Sequence, residues 1–216
     1  MSTPTSKGIW ATPILDGDTL YIGTMDGEVH AITLPGGEPA WDEPFTAATG
    51  AVPELGLLED EGLLWVPTIG KTVYLVDPAT GSEAGESLQS ENWVWTTPVV
   101  RDGIAYYGDF AGFVHAVDIT TGEERWEQQV GDKVKAGPAL IDDTLIVADR
   151  SSTITFLDVE TGEIRNAVNR DDAGTFRANL VARDGVAYAL GTSGTLFRAD
   201  PETLRVVPLE ITGAPD

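Results

Sequence analysis

Two stretches of the chain are near copies of each other and decide its fold. Residues 97–108 read TPVVRDGIAYYG, and residues 12–23 read TPILDGDTLYIG. The segments that follow them also correspond, since GFVHAVD at 112–118 matches GEVHAIT at 27–33. Weaker copies begin near positions 53, 138 and 180, so the repeats are spaced by 40 to 45 residues. A period of this length is typical of repeat architectures, and five repeats account for nearly the whole chain.

Each repeat contains four apolar runs separated by turn signals. In the third repeat, Asp102 and Gly103 separate the first two runs, and Thr121 and Gly122 precede the fourth. Asp-Gly between two short apolar runs is a strong hairpin signal. Four antiparallel strands per repeat describe one blade of a β-propeller. The sequence therefore predicts an all-β fold, a β-propeller of five four-stranded antiparallel blades in residues 8–216 after a polar linker at 1–7. The expected blades are 8–45, 46–91, 92–130, 131–173 and 174–216.

A second motif links the chain to a known family. Residues 116–126 read AVDITTGEERW and resemble the tryptophan-docking motif AxDxxTGxxxW. By this resemblance the chain is identified as a member of the pyrroloquinoline-quinone-like (PQQ-like) β-propeller repeat family. That family includes the propellers of quinoprotein dehydrogenases and the propeller lipoprotein of the outer-membrane β-barrel assembly machine. The resemblance implies that the Thr-Gly turn joins the two outer strands and that the tryptophan packs across blades.

The number of repeats leaves the closure of the ring open. Members of this family usually close with seven or eight blades, whereas this chain has five repeats. The five blades are either a complete ring, or part of a longer propeller, or a partial ring that other copies of the chain complete. An open array would leave the faces of its terminal blades exposed, which is costly for a repeat protein.

Composition excludes several classes of function. The chain has 35 Asp and Glu against 13 Lys and Arg, for a formal net charge of −22. This balance disfavours binding to nucleic acid and adsorption to anionic membranes. The absence of Cys excludes disulfides and thiol catalysis. No apolar run approaches 18 residues, so membrane insertion is not expected, and residues 1–7 do not resemble a signal peptide.

The sequence offers no clear catalytic set. His30 and His115 occupy equivalent positions in the third strand of their repeats, where other repeats have Tyr74, Thr155 and Phe197. This exchange indicates a half-buried strand residue rather than a metal or catalytic site. No Gly-x-Ser-x-Gly motif occurs. Most of the acidic pairs fall in inter-strand turns, where Asp is common.

The face around the predicted central channel is a better candidate. Loops that enter the innermost strand share this face with the loops between the second and third strands. Ten of the 13 cations lie in residues 109–216, and several of them fall in these loops together with aromatic residues. Such a face would suit a planar anionic ligand or an acidic, aromatic peptide segment. The predicted ligand-binding residues are Trp10, Lys71, Trp95, Phe110, Lys135, Arg150 and Arg177.

These observations predict a non-catalytic propeller that serves as a scaffold for a protein partner, with no cofactor. One alternative is a quinoprotein dehydrogenase-like protein or fragment that uses pyrroloquinoline quinone with Ca²⁺. The lack of Cys and of large insertions disfavours it. The other alternative is a carbohydrate-binding or glycoside-cleaving five-bladed propeller, with Trp10 and Trp95 stacked on sugar rings. The resemblance alone implies a periplasmic or extracellular location. The chain is expected to be a monomer or a ring-completing homo-oligomer.

Overall fold

The computed structural model describes residues 8–209 and confirms the predicted all-β fold. Its strands form five separate antiparallel sheets, and each sheet is a blade that follows the previous one along the chain. A single turn of 3-10 helix at Asp171–Ala173 is the one helical element in the described range. No helix in that range is long and apolar enough to cross a membrane.

Strands are numbered in chain order, from the innermost to the outermost in each blade. Blade 1 contains β1 Ile14–Asp16, β2 Thr19–Gly23, β3 Glu28–Thr33, and an outer edge divided into β4 Glu38–Pro39 and β5 Phe45–Thr46. Blade 2 contains β6 Gly56–Leu58, β7 Leu63–Pro67, β8 Thr72–Val76 and β9 Leu88–Gln89. Blade 3 contains β10 Val99–Arg101, β11 Ile104–Gly108, β12 Phe113–Asp118 and β13 Glu124–Gln129. Blade 4 contains β14 Ala139–Ile141, β15 Thr144–Ala148, β16 Thr153–Asp158 and β17 Ile164–Asn169. Blade 5 contains β18 Val181–Arg183, β19 Val186–Leu190, β20 Leu196–Asp200 and β21 Arg205–Leu209.

The Asp-Gly pairs form the tight hairpins that the sequence predicts. In blade 3, Arg101 pairs with Ile104, which leaves Asp102 and Gly103 as a two-residue loop. Both loop residues have positive φ, at 52° and 75°. Two successive left-handed residues are the requirement of a type I′ hairpin, and Asp followed by Gly meets it with little strain.

Tryptophan docking joins neighbouring blades, as the motif implies. The indole nitrogen of Trp126 in blade 3 donates a hydrogen bond of 2.9 Å to the carbonyl of Val159 in blade 4. Its ring covers Gly162 so closely that a Cβ there would lie 2.6 Å from it. Trp41 makes the same 2.9 Å bond to Pro78 of blade 2. Gly81 and Gly162, the turn glycines beneath the two docked rings, therefore serve two needs: a positive φ and room for the ring above.

The core is divided into layers between consecutive blades. Four apolar clusters of buried residues lie between blades 1 and 2, 2 and 3, 3 and 4, and 4 and 5. The central strands of blades 2, 3 and 4 are consequently buried on both faces. Within residues 8–209, none of these clusters joins blade 5 to blade 1.

The two end blades are buried on one face only. In blade 1, Tyr21 and Ala31 face the core, whereas the alternate residues of β2 and β3 are partly exposed. Blade 5 shows the same alternation in β19 and β20. Leu15 is 59% exposed and Val181 60% exposed. Among residues 8–209, blades 1 and 5 therefore each present one face that is not packed against a neighbouring blade, and how the ring closes stays a prediction.

Candidate functional site

The segments that enter the innermost strands converge on one face. Asn179, which precedes β18 of blade 5, accepts a hydrogen bond of 2.7 Å from the backbone of Gly137 in blade 4. The same side chain donates a 2.8 Å bond to the hydroxyl of Thr97 in blade 3. A Cβ at Gly137 would lie 2.8 Å from Asn179, so the missing side chain lets one blade reach across its neighbour. These contacts fix the geometry of the predicted channel face.

A series of stacked aromatic rings occupies this face. Trp10 of blade 1 stacks on Trp95 of blade 3, with ring centroids 5.7 Å apart. Trp95 stacks in turn on Phe110, at 5.5 Å and an interplanar angle of 10°. Trp93 continues the series at 6.1 Å from Phe110. The side chains at its two ends remain open to solvent, since Trp10 is 62% and Trp93 43% exposed.

A lysine completes the group, which we call the axial cluster (Trp10, Trp93, Trp95, Phe110 and Lys135). The ammonium of Lys135 lies 4.1 Å from the centroid of the Trp95 ring, within cation–π distance. Burial lowers the pKa of Lys135, and the nearby positive charges of Arg177 and Arg150 lower it further. The carboxylate of Glu54 acts in the opposite direction. Three cations therefore face one carboxylate around this part of an otherwise acidic protein.

Of the other three predicted cations, Arg177 and Arg150 lie beside the cluster, and Lys71 is not at the loop position equivalent to Phe110. Arg177 is exposed and acts on Lys135 electrostatically. Arg150 lines a shallow depression of about 280 Å³ together with Trp93 and Phe110. Lys71 has a φ of 68° and occupies the left-handed position of the β7–β8 turn. The residue equivalent to Phe110 in blade 2 is instead Ile69, whose backbone makes the corresponding hydrogen bond to Ala51.

Two residues at this face were not among those predicted. Glu54 accepts a 3.2 Å hydrogen bond from the backbone of Thr12, which ties the entry of blade 2 to that of blade 1. Trp93 lies two residues before Trp95 and extends the aromatic series over the depression. The sequence offered one signal for each residue: Glu54 directly follows Pro53 in an entry loop, and Trp93 lies close to the predicted Trp95.

His115 differs from the sequence expectation of a half-buried residue. Its side chain is 1% exposed and lies among three carboxylates, those of Asp109, Glu124 and Glu127. Burial by itself would lower its pKa, but hydrogen bonding and attraction to Asp109 and Glu124 outweigh burial and leave the pKa raised. His30, in contrast, is partly exposed and pairs with a single carboxylate, Glu28, at 3.0 Å.

The fold and this face define a class of protein: a PQQ-like β-propeller whose motif residues serve blade packing. Comparison with known proteins makes the assignment specific. The family model described as outer membrane protein assembly factor BamB matches residues 69–207. The chain therefore belongs to this family of PQQ-like propellers.

Individual relatives agree with the family match. An outer membrane protein assembly factor BamB from Shewanella oneidensis is 26% identical over 185 residues, which cover 82% of this chain and 46% of the relative. The protein of the same name from Vibrio cholerae is 28% identical over 151 residues, covering 69% and 38%. A serine/threonine-protein kinase AfsK from Streptomyces griseus is 29% identical over 138 residues, or 61% of this chain and 17% of the kinase.

Solved structures show the same fold. BamB from Moraxella catarrhalis superimposes with a TM-score of 0.71 at 19% identity, covering 91% of this chain and 59% of that one. The computationally designed Ika8 protein superimposes with a TM-score of 0.70 at 18% identity, covering 85% and 56%. The chain thus spans about half the length of the curated BamB relatives and somewhat more of the structural ones.

Proposed function

We propose that this chain is a non-catalytic propeller scaffold that binds a protein partner through the axial cluster. The observation that carries the proposal is the aromatic series from Trp10 to Trp93, which is stacked, held against Lys135 and open at both ends. Tryptophan and arginine are enriched among the few residues that dominate the binding energy of protein interfaces. The names of the BamB relatives, as assembly factors, support a role in binding other proteins.

The charge around the cluster indicates the kind of segment that it would bind. Lys135, Arg150 and Arg177 concentrate positive charge on a body with a net charge of −22. An acidic, aromatic peptide segment would be steered to this face and repelled elsewhere. The depression of about 280 Å³ is shallow, which fits a side chain of such a segment better than an enclosed cofactor.

No specific observation favours the quinoprotein or the carbohydrate alternative. The BamB relatives carry no oxidoreductase or glycosidase name. Glu54 is the carboxylate beside the axial cluster. Glycoside hydrolysis requires a pair of catalytic carboxyl groups, and no contact among the described residues brings a second carboxyl group to Glu54. The resemblance to outer membrane assembly factors also supports our proposal that the scaffold works in the periplasm or outside the cell.

Photocrosslinking in cells tests the scaffold proposal. A photoreactive phenylalanine derivative at position 10 should crosslink a discrete protein, because Trp10 is the most exposed member of the cluster. The same derivative at position 164, where Ile164 is also exposed on the outermost strand of blade 4, is the matched control. Crosslinks that are equally frequent from both positions, or absent from position 10, would contradict the proposal.

The exposed faces of blades 1 and 5 support a second interaction, with further blades. Leu15 on one end and Val181 and Leu190 on the other leave apolar surface that the other interfaces bury. We infer that these faces are covered either by a second copy or by blades outside this chain. Light scattering distinguishes the two, since a ring completed by copies has a multiple of the 23.0 kDa chain mass. If copies complete the ring, Val181→Glu should reduce the measured mass to that of one chain. If the unchanged protein is already a monodisperse monomer, a second copy does not cover these faces and blades outside this chain are the remaining possibility.

A further inference from the structure

The most unusual buried group lies away from the axial cluster, on the outer strands of blade 3. His115 projects from β12, and its ring stacks on Tyr107 at 5.0 Å. Its Nδ1 lies 2.9 Å from Oε1 of Glu124 and 3.7 Å from Oε2 of Glu127. On the other side of the ring, Nε2 lies 3.5 Å from Oδ2 of Asp109, which is completely buried. This separation is long for a hydrogen bond, and neither Nε2 nor Oδ2 has another hydrogen-bond partner among the described residues.

A β-bulge brings the two glutamates to the same side. In a regular strand, residues three apart point to opposite faces. The register of β12 and β13 shifts between Ala116 and Val117, so that Glu127 lies opposite His115 and Glu124 lies opposite Val117. Because His115 and Val117 share a face of their strand, both glutamates project to that face as well. The extra residue, Arg125, turns outward and pairs with Asp118 at 2.9 Å.

Blade 4 has the same backbone without this chemistry. Its register shifts at the equivalent place, between Phe156 and Leu157. The positions of His115, Glu124 and Glu127 are filled there by Thr155, Ile164 and Ala167. Asp149 is buried like Asp109 and accepts the same pair of backbone hydrogen bonds, but its second oxygen accepts the N–H of Asp132. The bulge is therefore part of the blade architecture. His115, Glu124 and Glu127 are not needed to form it, because blade 4 has the bulge without them.

We propose that His115, Glu124 and Glu127 bind a zinc-type divalent metal ion, with Asp109 as the positioning residue behind the histidine. The three ligand atoms all lie within 4.8 Å of one another. A tetrahedral ion with bonds of about 2.0–2.1 Å separates its ligands by about 3.3 Å, which falls between the two distances from Nδ1. The glutamate side chains are partly exposed, at 45% and 32%, and can adjust to the ion.

The charges and the hydrogen-bond pattern both fit a cation. Three carboxylates surround one imidazole, and Glu91 adds further negative charge near Glu127. A metal-binding histidine commonly donates its other ring N–H to a carboxylate, which fixes the tautomer. Asp109 stands where that carboxylate is needed, with its free oxygen directed at Nε2. Binding at Nδ1 would displace a proton from that nitrogen and leave Nε2–H directed at Asp109.

Calorimetric titration of the metal-free full chain with ZnCl₂ tests the site. Excess CaCl₂ is present throughout, because a surface with a net charge of −22 binds hard cations loosely, whereas imidazole selects zinc over calcium. We expect one saturable zinc site per chain. His115→Thr, which installs the blade 4 residue, should weaken it at least tenfold, and so should Glu124→Gln combined with Glu127→Gln. The second variant keeps the buried histidine, so loss of binding there is not a folding defect.

Matched variants control for general effects. His30→Thr removes the equivalent histidine of blade 1, which has one carboxylate partner, and should leave zinc affinity unchanged. Asp109→Asn keeps a side-chain acceptor for the backbone of Ala111 and Phe113, and should weaken zinc affinity about 10- to 100-fold. Asp149→Asn, the equivalent change in blade 4, should leave zinc affinity unchanged. Absence of saturable binding, displacement by calcium, or equal affinity in the His115→Thr variant would overturn the proposal.

Discussion

Blades 3 and 4 have the same strands, the same bulge and the same buried aspartate, yet they differ in the side chains that dock on the next blade and in those that face the channel. Blade 3 docks on its neighbour through Trp126, whereas blade 4 uses Asn166, which donates 2.9 Å to the carbonyl of Leu204. At the channel face, Trp95 in blade 3 corresponds to Lys135 in blade 4. The repeat therefore determines the backbone, whereas the side chains at these positions differ from blade to blade.

The largest expected effect concerns the glycine beneath the docked tryptophan. Gly162→Ala places a Cβ 2.6 Å from the Trp126 ring and also in a left-handed conformation. We expect a loss of about 3–4 kcal/mol in unfolding free energy, from overpacking and backbone strain together. Chemical denaturation measures it.

Gly122→Ala is the control for that experiment. Gly122 has a similar φ of 72°, but its nearest neighbour is Cβ of Glu86 at 3.3 Å, without a ring above it. This variant should cost only the strain of the left-handed position, about 1–2 kcal/mol. Equal losses in the two variants would mean that the docked ring does not constrain the turn.

Removal of the docking side chains should give an intermediate effect. Trp126→Ala removes a half-buried indole and its hydrogen bond, and we expect a loss of about 2–3 kcal/mol. Asn166→Ala removes one exposed hydrogen bond, for about 1 kcal/mol or less. Urea unfolding curves of the two variants compare the blades directly. A loss for Asn166→Ala that matches the tryptophan variant would contradict the ranking.

The smallest expected effect is a pH dependence from blade 4. Arg165 bonds to both Asp143 and Asp158, and this pairing lowers the pKa of Asp143 to about 2. Because the folded pKa is depressed, the stabilisation is present above the unfolded pKa of 3.8 and is lost as the pH falls towards 2. The Asp143 side chain is 71% exposed, so the contribution is small.

Arg165→Met should flatten the acid limb of the melting temperature plotted against pH. Arg125→Met in blade 3 is the matched variant, since Arg125 pairs only with Asp118 among the ion pairs of the described residues. It should flatten that limb less. An unchanged acid limb in the Arg165 variant would show that the network contributes nothing to acid stability.

The comparison also shows what the sequence could and could not predict. Repeat spacing and the Asp-Gly and Thr-Gly turns predicted the five sheets, because these depend on local patterns. The docking of Trp126 was implied by the resemblance of its motif to the PQQ-like family. The stacking of Trp10 on Trp95 follows from the blade geometry that places both at entry loops. The sequence alignment that selected Lys71 was offset by two residues, because Ile69 is the blade 2 residue equivalent to Phe110.

Other features depend on contacts that a single repeat does not encode. The burial of His115 beside Glu124 and Glu127 requires the β-bulge, since regular alternation places the two glutamates on opposite faces. The open faces of blades 1 and 5 depend on whether the first and last blades meet, and the repeat pattern is the same in either case. Glu54 became visible only through its bond to Thr12 of the neighbouring blade.

The most direct test of the scaffold account is the affinity of the partner crosslinked from position 10 for variants of the axial cluster. Trp95→Ala removes the ring that contacts Trp10, Phe110 and Lys135, and we expect the dissociation constant to rise at least about tenfold. Ile164→Ala, which truncates an exposed apolar residue on the outermost strand of blade 4, should leave it unchanged. An unchanged affinity in the Trp95→Ala variant, with its thermal unfolding intact, would contradict the account.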